Sequence, residues 1–218
     1  MLSWTGRFLT SSIGKKTFMA LTGLGLVGFL VVHLAGNLTL YASNEAFNAY
    51  AEKLESYGIL LNIAEVGLLG LFAVHIAVAL RLSNENKNAR PTAYQVRNSM
   101  GRKSIGSSSM LITGLIIGAF VVIHVIDFRI AKLTGDIDDL ALAVRERLGS
   151  PVGASIYLVG IIALGVHLSH AIQSAFQTLG GNHPKWSPIL QGAARGLAAI
   201  LTLGFASFPV ILLLGGSN

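Results

Sequence analysis

The sequence predicts an all-α membrane protein in which five transmembrane helices form a bundle, as one domain over residues 1–218. Of the 218 residues, 52% are hydrophobic and only 12% are charged, whereas an ordinary soluble domain carries about 25% charged residues. The mean hydropathy is +0.64. A helix needs about 20 mostly apolar residues to cross a bilayer core of about 30 Å. The predicted spans lie near residues 17–41, 57–81, 106–131, 153–178 and 193–214.

The first two spans are bounded by charged residues. No Asp, Glu, Lys or Arg occurs between Lys16 and Glu45, a stretch long enough for one crossing. The next stretch, between Glu55 and Arg81, contains a single charged residue, Glu65. Ionisable residues within a span are costly in lipid and usually functional. Glu65 is therefore a candidate functional residue.

The last three spans follow from uncharged stretches. One lies between Lys103 and Asp127, the next between Arg147 and Lys185, and the last follows Arg195. Each stretch is long enough to cross a bilayer as a helix.

The basic residues are distributed unevenly among the connections. Eleven of the sixteen Lys and Arg lie in the N-terminal segment and in the second and fourth connections with their flanks, and five lie in the first and third. Cytoplasmic loops retain such residues, so we expect a cytoplasmic N-terminus and an external C-terminus. The second connection, residues 84–103, and the N-terminal residues are predicted to contact a peripheral partner. A solvated loop that only obeys the charge rule is the alternative.

Several chemistries are disfavoured by the sequence. The basic residues form no continuous face, so nucleic-acid binding is not expected despite the formal charge of +6. The absence of cysteine excludes disulfides, Cys-ligated zinc, iron–sulfur ligation and covalently attached c-type haem. Gly23-Leu-Gly25-Leu-Val-Gly28 matches the dinucleotide-binding pattern, but that motif requires a strand before the helix. Inside an apolar span, close helix packing is the better interpretation.

The histidines are the main candidates for chemistry. Five of the six lie within predicted spans: His33, His75, His124, His167 and His170. At 1.5 Å per residue, His33 and His124 both lie about 10 to 12 Å below the outer surface. His75, His167 and His170 share a second level, about 9 to 16 Å from the inner surface.

Two imidazoles from different helices at one depth can ligate a haem iron from both faces. Two such pairs predict two b-type haems, one above the other, suited to carrying electrons across part of the membrane. A histidine and Glu65 proton relay in a small transporter is the alternative, although no inverted repeat is evident. A di-metal oxygenase is poorly supported, because it would need clustered histidines and carboxylates.

Four segments resemble the single-chain, five-helix, di-haem cytochrome b subunit of succinate dehydrogenase and fumarate reductase. The likeness covers the first four spans in order, about two thirds of the chain. The segments are His33-Leu-Ala-Gly-Asn-Leu38, His75-Ile-Ala-Val-Ala-Leu80, His124-Val-Ile-Asp-Phe-Arg129 and His167-Leu-Ser-His-Ala-Ile-Gln-Ser-Ala-Phe-Gln-Thr-Leu-Gly180.

The resemblance implies a membrane anchor that passes electrons between a membrane quinone, by the likeness menaquinone, and peripheral flavoprotein and iron–sulfur subunits. The chain itself would bind neither succinate nor fumarate. By this likeness His33 and His124 ligate the outer haem, and His75 and His167 the inner haem. His170 is an alternative ligand or a neighbour of the haem, since depth alone slightly favours it. The expected location is a bacterial cytoplasmic membrane, and whether the complex dimerises stays open.

Glu65 is predicted to exchange protons with a quinone beside the outer haem, because quinone reduction couples electrons to protons and few other groups in the interior can carry them. A structural contact to a Ser, an Asn or a backbone group is the alternative. Asp127 and Arg129, at the end of the third span, could complete a proton path to the outside. Arg129 is alternatively a candidate contact of a haem propionate.

Overall fold

A computed structural model describes residues 4–88, 105–181 and 183–215 of the chain. Within these residues the protein contains helices and no strand. Five helical segments are long and apolar enough to cross a membrane, which confirms the predicted number of spans. They are Ser12–Tyr41, Ile59–Asn88, Ser109–Thr134, Pro151–Thr178 and Ser187–Gly215.

The helices are numbered α1 to α9 along the chain. Their bounds are α1 Trp4–Thr10, α2 Ser12–Asn37, α3 Asn44–Glu55, α4 Ile59–Asn88, α5 Ile105–His124, α6 Ala131–Thr134, α7 Leu140–Gly149, α8 Pro151–Thr178 and α9 Ser187–Gly215. A 3₁₀ turn, Leu38–Tyr41, follows α2, and a π-helical segment, Val125–Ile130, joins α5 to α6. Much of the second connection, which was predicted to contact a partner, lies outside the described residues.

Three spans extend beyond their predicted bounds by five residues or more. The first span begins at Ser12 rather than near 17, the second ends at Asn88 rather than near 81, and the fifth begins at Ser187 rather than near 193. The charge-free stretches mark the apolar part of each span, whereas helical hydrogen bonding continues through its polar ends. At one such end Lys15 of α2 pairs with Glu85 of α4.

Two connections contain short helices, α3 and α7, that the sequence analysis did not predict. They pack on each other through Asn48, whose Nδ2 donates to Asp139 Oδ1 over 2.9 Å and whose Oδ1 accepts from the Ala141 N–H over 3.0 Å. Asp139 also caps α7 by accepting from the Leu142 N–H. The backbone N–H of Leu142, followed by the Asn48 amide, holds the pKa of Asp139 below its ordinary value. These bonds favour the ionised carboxylate.

The helix α8 is the centre of the packing and contacts α9, α5 and α2. It contributes more buried residues than any other described helix. The helix α4 packs mainly on α2, and none of its residues is buried within the described part of the chain. The core residues of α8 are Gly153, Ala154, Tyr157, Gly160, Ile161, Ala163, Leu168, Ile172 and Ala175. The helix α8 carries His167 and His170 and contacts α2 and α5, which carry His33 and His124.

The third span is not a uniform α-helix. It changes to π-helical hydrogen bonding at Val125, directly after His124, and returns to α-helix at Ala131. Short π-helical segments within α-helices are rare and frequently occur at functional sites. This one contains Asp127 and Arg129, and both side chains make ion pairs.

Candidate functional site

The first histidine pair consists of His33 of α2 and His124 of α5, whose side chains meet within the bundle. The centroids of the two rings are 5.7 Å apart and the rings are nearly perpendicular, at 80°. Phe29 and Phe205 pack against His33, and Phe128 packs against His124. The two histidines that the sequence placed at one depth are therefore neighbours in an apolar, aromatic environment.

A chain of polar side chains leads away from His124. The Tyr157 hydroxyl lies 3.4 Å from His124 Nδ1 and donates to Asp127 Oδ2 over 3.0 Å. Arg147 Nε, on the short helix α7, donates to the same carboxylate oxygen over 2.8 Å. Because Asp127 lies in the π-helical segment, this arrangement joins α7, the third span and α8.

His33 has a different partner. The Asn37 amide, one turn further along α2, donates to the His33 carbonyl oxygen over 2.7 Å. Its nitrogen also lies 3.4 Å from each ring nitrogen of His33. The two histidines of the first pair thus have unlike surroundings, an amide on the same helix for His33 and a hydroxyl on another helix for His124.

The second histidine pair, His75 of α4 and His167 of α8, has matched partners. Thr22 Oγ1 lies 3.1 Å from His75 Nδ1, and Thr113 Oγ1 lies 3.2 Å from His167 Nδ1. A hydroxyl on a neighbouring helix therefore contacts the same ring nitrogen in both histidines.

The threonine contacts select one tautomer of each ring. The Thr22 hydroxyl donates to the Phe18 carbonyl over 2.8 Å, and the Thr113 hydroxyl donates to the Ser109 carbonyl over 2.9 Å. A hydroxyl has one hydrogen, and with that hydrogen on the carbonyl each oxygen accepts from its histidine. This arrangement corresponds to the tautomer with the proton on Nδ1 and a free lone pair on Nε2. Metal-binding histidines are commonly oriented in this way.

A glycine follows each of these threonines and lets the histidine ring approach the neighbouring helix. A Cβ atom at Gly23 would lie 3.3 Å from His75 Cε1, and one at Gly114 would lie 3.7 Å from His167 Cε1. Gly23 lies within the continuous helix α2, which confirms that the Gly-rich pattern is not a strand-to-helix phosphate loop. Gly23 packs closely against the His75 ring.

The two threonines were missed by the sequence analysis, although the sequence contains a signal for them. Thr22 precedes His33 by eleven residues, and Thr113 precedes His124 by the same number. Eleven residues are about three helical turns and about 16 Å. Each of α2 and α5 therefore presents, on one face, a threonine for the second pair and a histidine of the first pair.

Glu65 and Arg129 form an ion pair between α4 and the π-helical segment. Arg129 Nη2 donates to Glu65 Oε2 over 2.8 Å, and the side chains are 30% and 38% exposed for Arg129 and Glu65 respectively. Glu65 is thus bonded to a neighbouring span, and its partner is an arginine rather than the Ser, Asn or backbone group of the structural alternative. Arg129 Nε is buried and has no hydrogen-bond partner among the described residues.

No group of three or more His, Asp or Glu side chains is placed to hold a metal ion in the described parts of the chain. Such a group is what a di-metal oxygenase would need. Axial ligation of haem iron uses only two protein side chains. Comparisons with protein-family models, curated proteins and solved structures found no match for this chain.

Proposed function

We propose that the protein is the di-haem cytochrome b membrane anchor of a succinate dehydrogenase or fumarate reductase. It would carry electrons between a membrane quinone, by the resemblance menaquinone, and peripheral iron–sulfur and flavoprotein subunits in a bacterial cytoplasmic membrane. The observation that carries the proposal is the arrangement of two histidine pairs, each drawn from two different spans. The residues of these pairs are also those that the resemblance implies as ligands.

The first pair fits axial ligation of one iron. Imidazole nitrogens bind metal ions at about 2 Å, so two rings on opposite sides of one iron have centroids on the order of 6 Å apart. The His33 and His124 centroids are 5.7 Å apart. The aromatic rings around them match the apolar faces of a porphyrin. These two side chains would hold the outer haem.

The second pair fits haem ligation because of how its imidazole rings are hydrogen-bonded. His75 and His167 both have Nδ1 at a threonine hydroxyl, which leaves Nε2 as the nitrogen available to an iron. The Thr113 contact is made by His167, which favours it over His170 as the partner of His75. These two side chains would hold the inner haem.

Each haem, when bound, supplies a one-electron carrier, and the protein determines what surrounds it. Thr22 and Thr113 orient the imidazoles of the second pair. The unpartnered Nε of Arg129 supports its candidate role as a donor to a haem propionate. Glu65 is the candidate proton carrier for the quinone, and its pairing with Arg129 provides a counter-ion for its ionised form.

The experiment that tests this function is a haem count on the purified complex. A dithionite-reduced optical spectrum with pyridine haemochrome quantification should give two b-type haems per chain. These haems should be extracted by acidic solvent, because no cysteine can attach them. Complete absence of haem would refute the cytochrome assignment and favour the histidine and Glu65 proton relay.

Histidine substitutions test the pairing. His33→Ala or His124→Ala should remove one spectral component, and His75→Ala or His167→Ala the other. His170→Ala is the matched control, one turn from His167 on α8, and should keep both components. If His33 and His75 proved to share a component, the pairing by depth would be wrong.

A further inference from the structure

Tyr157 is placed to act on His124 from outside the candidate ligand set. Its side chain is almost completely buried and only 4% exposed. Its ring packs edge-on against Phe120, with centroids 5.1 Å apart, and lies 5.9 Å from the His124 ring. This packing holds the phenol rigidly and brings its oxygen to within 3.4 Å of His124 Nδ1.

The direction of the hydrogen bonds around Tyr157 follows from its single hydroxyl proton. That proton is donated to Asp127 Oδ2, which is already held by Arg147 Nε. The phenol oxygen can then only accept from His124, so the ring proton lies on Nδ1 and Nε2 is left free. The ion pair is well enclosed, with Asp127 only 17% exposed, which keeps the carboxylate in place as the acceptor.

We propose that Tyr157, oriented by the Asp127–Arg147 ion pair, is a positioning residue that sets the reduction potential of the haem held by His33 and His124. This inference rests on the proposed function. An acceptor at the outer nitrogen of a ligating imidazole raises its basicity and so favours the oxidised iron. The second pair has hydroxyl partners that donate to backbone carbonyls, with no ion pair behind them. Tyr157 therefore adjusts one haem without adjusting the other.

The test is a redox titration of the purified complex, followed optically, for wild type and Tyr157→Phe. The variant keeps the ring packing and removes only the acceptor. The equilibrium constant for reducing the His33–His124 haem should rise about threefold to tenfold, which at about 59 mV per tenfold is an increase of about 30 to 60 mV. The other haem should keep its potential. Tyr41→Phe is the matched control, because it removes a hydroxyl bonded to Ser207 over 2.7 Å and involves no histidine.

Three results would overturn the inference: unchanged potentials in Tyr157→Phe, equal shifts of both haems, or the same shift in Tyr41→Phe. Asp127→Asn provides a second route if Tyr157→Phe does not assemble. It removes the charge that orients the phenol and should raise the same potential. An unshifted potential in Asp127→Asn would then refute the proposal.

A readout that does not need haem separates this inference from the proposed function. The ¹⁵N chemical shifts of the His124 ring report which nitrogen carries the proton. If the complex contained no haem, the proposed function and the effect on a reduction potential would both fail, whereas an Nδ1–H ring in wild type that becomes mixed in Tyr157→Phe would still establish that Tyr157 positions the His124 ring. The same tautomer populations in both proteins would exclude that role.

Discussion

Replacing Thr22 or Thr113 by valine should weaken haem binding at the second histidine pair. Valine has nearly the shape of threonine, so the change removes the hydroxyl without opening a cavity. Both threonines are 6% exposed, and no water can readily replace the lost acceptor. An imidazole N–H left unpaired in such a place costs about 1 to 3 kcal/mol.

That cost converts to a loss of affinity. At about 1.4 kcal/mol per tenfold, this cost predicts that the affinity for haem falls on the order of 5-fold to 150-fold. Removing a residue that hydrogen-bonds to a metal-binding side chain typically lowers metal affinity roughly 10-fold to 100-fold, which is a similar range. The two threonines contact different histidines of the same proposed haem site, so each removal should weaken the binding of that haem and the two costs are coupled. The Thr22→Val/Thr113→Val double variant should lose most of the haem at this pair.

The assay is haem transfer from the purified complex to excess apomyoglobin, followed optically and normalised by haemochrome quantification. Thr202→Val is the matched control, because its hydroxyl donates to the Ala198 carbonyl over 2.6 Å and contacts no histidine. The control should retain haem as the wild type does. Wild-type retention in the double variant, or loss confined to the His33–His124 haem, would refute the assigned role of the threonines.

Three further perturbations have distinct outcomes. Glu65→Gln should keep both haems and dye-linked succinate activity of the complex while quinone activity is lost; unchanged quinone turnover would exclude Glu65 as an essential proton carrier. Gly160→Leu should destabilise the α5–α8 contact by about 1 to 3 kcal/mol through overpacking against the Phe120 ring, seen as a lower unfolding temperature. The pKa of Asp139 is lower in the folded protein than the value of about 3.9 that it has in the unfolded chain. The ionised carboxylate therefore stabilises the folded state above that pH, and this stabilisation is lost as the pH falls through the folded-state pKa. Hydrogen exchange at the start of α7 should therefore accelerate below about pH 4, and Asp139→Ala should remove this pH dependence.

Much of the architecture could be predicted from the sequence. Five apolar stretches are long enough to cross a bilayer, and the structure has five such helices. Depth along a helix depends only on residue number and rise per residue, so the sequence could place His33 and His124 at one level. Their rings prove to be neighbours. The ends of the spans were less predictable, because helices continue through polar residues once outside the apolar core.

The partners of the histidines were decided by the tertiary structure. The position of a residue along its helix gives the depth of its side chain. It does not give the rotation of the helix or the neighbour that the side chain faces. The contacts of Thr22 with His75 and of Tyr157 with His124 therefore appear only when the helices are packed. The π-helical segment that holds Asp127 is likewise invisible in hydropathy, because α and π hydrogen bonding use the same backbone groups. Pairing between helices depends on crossing geometry and side-chain rotamers, which the whole packed core determines together.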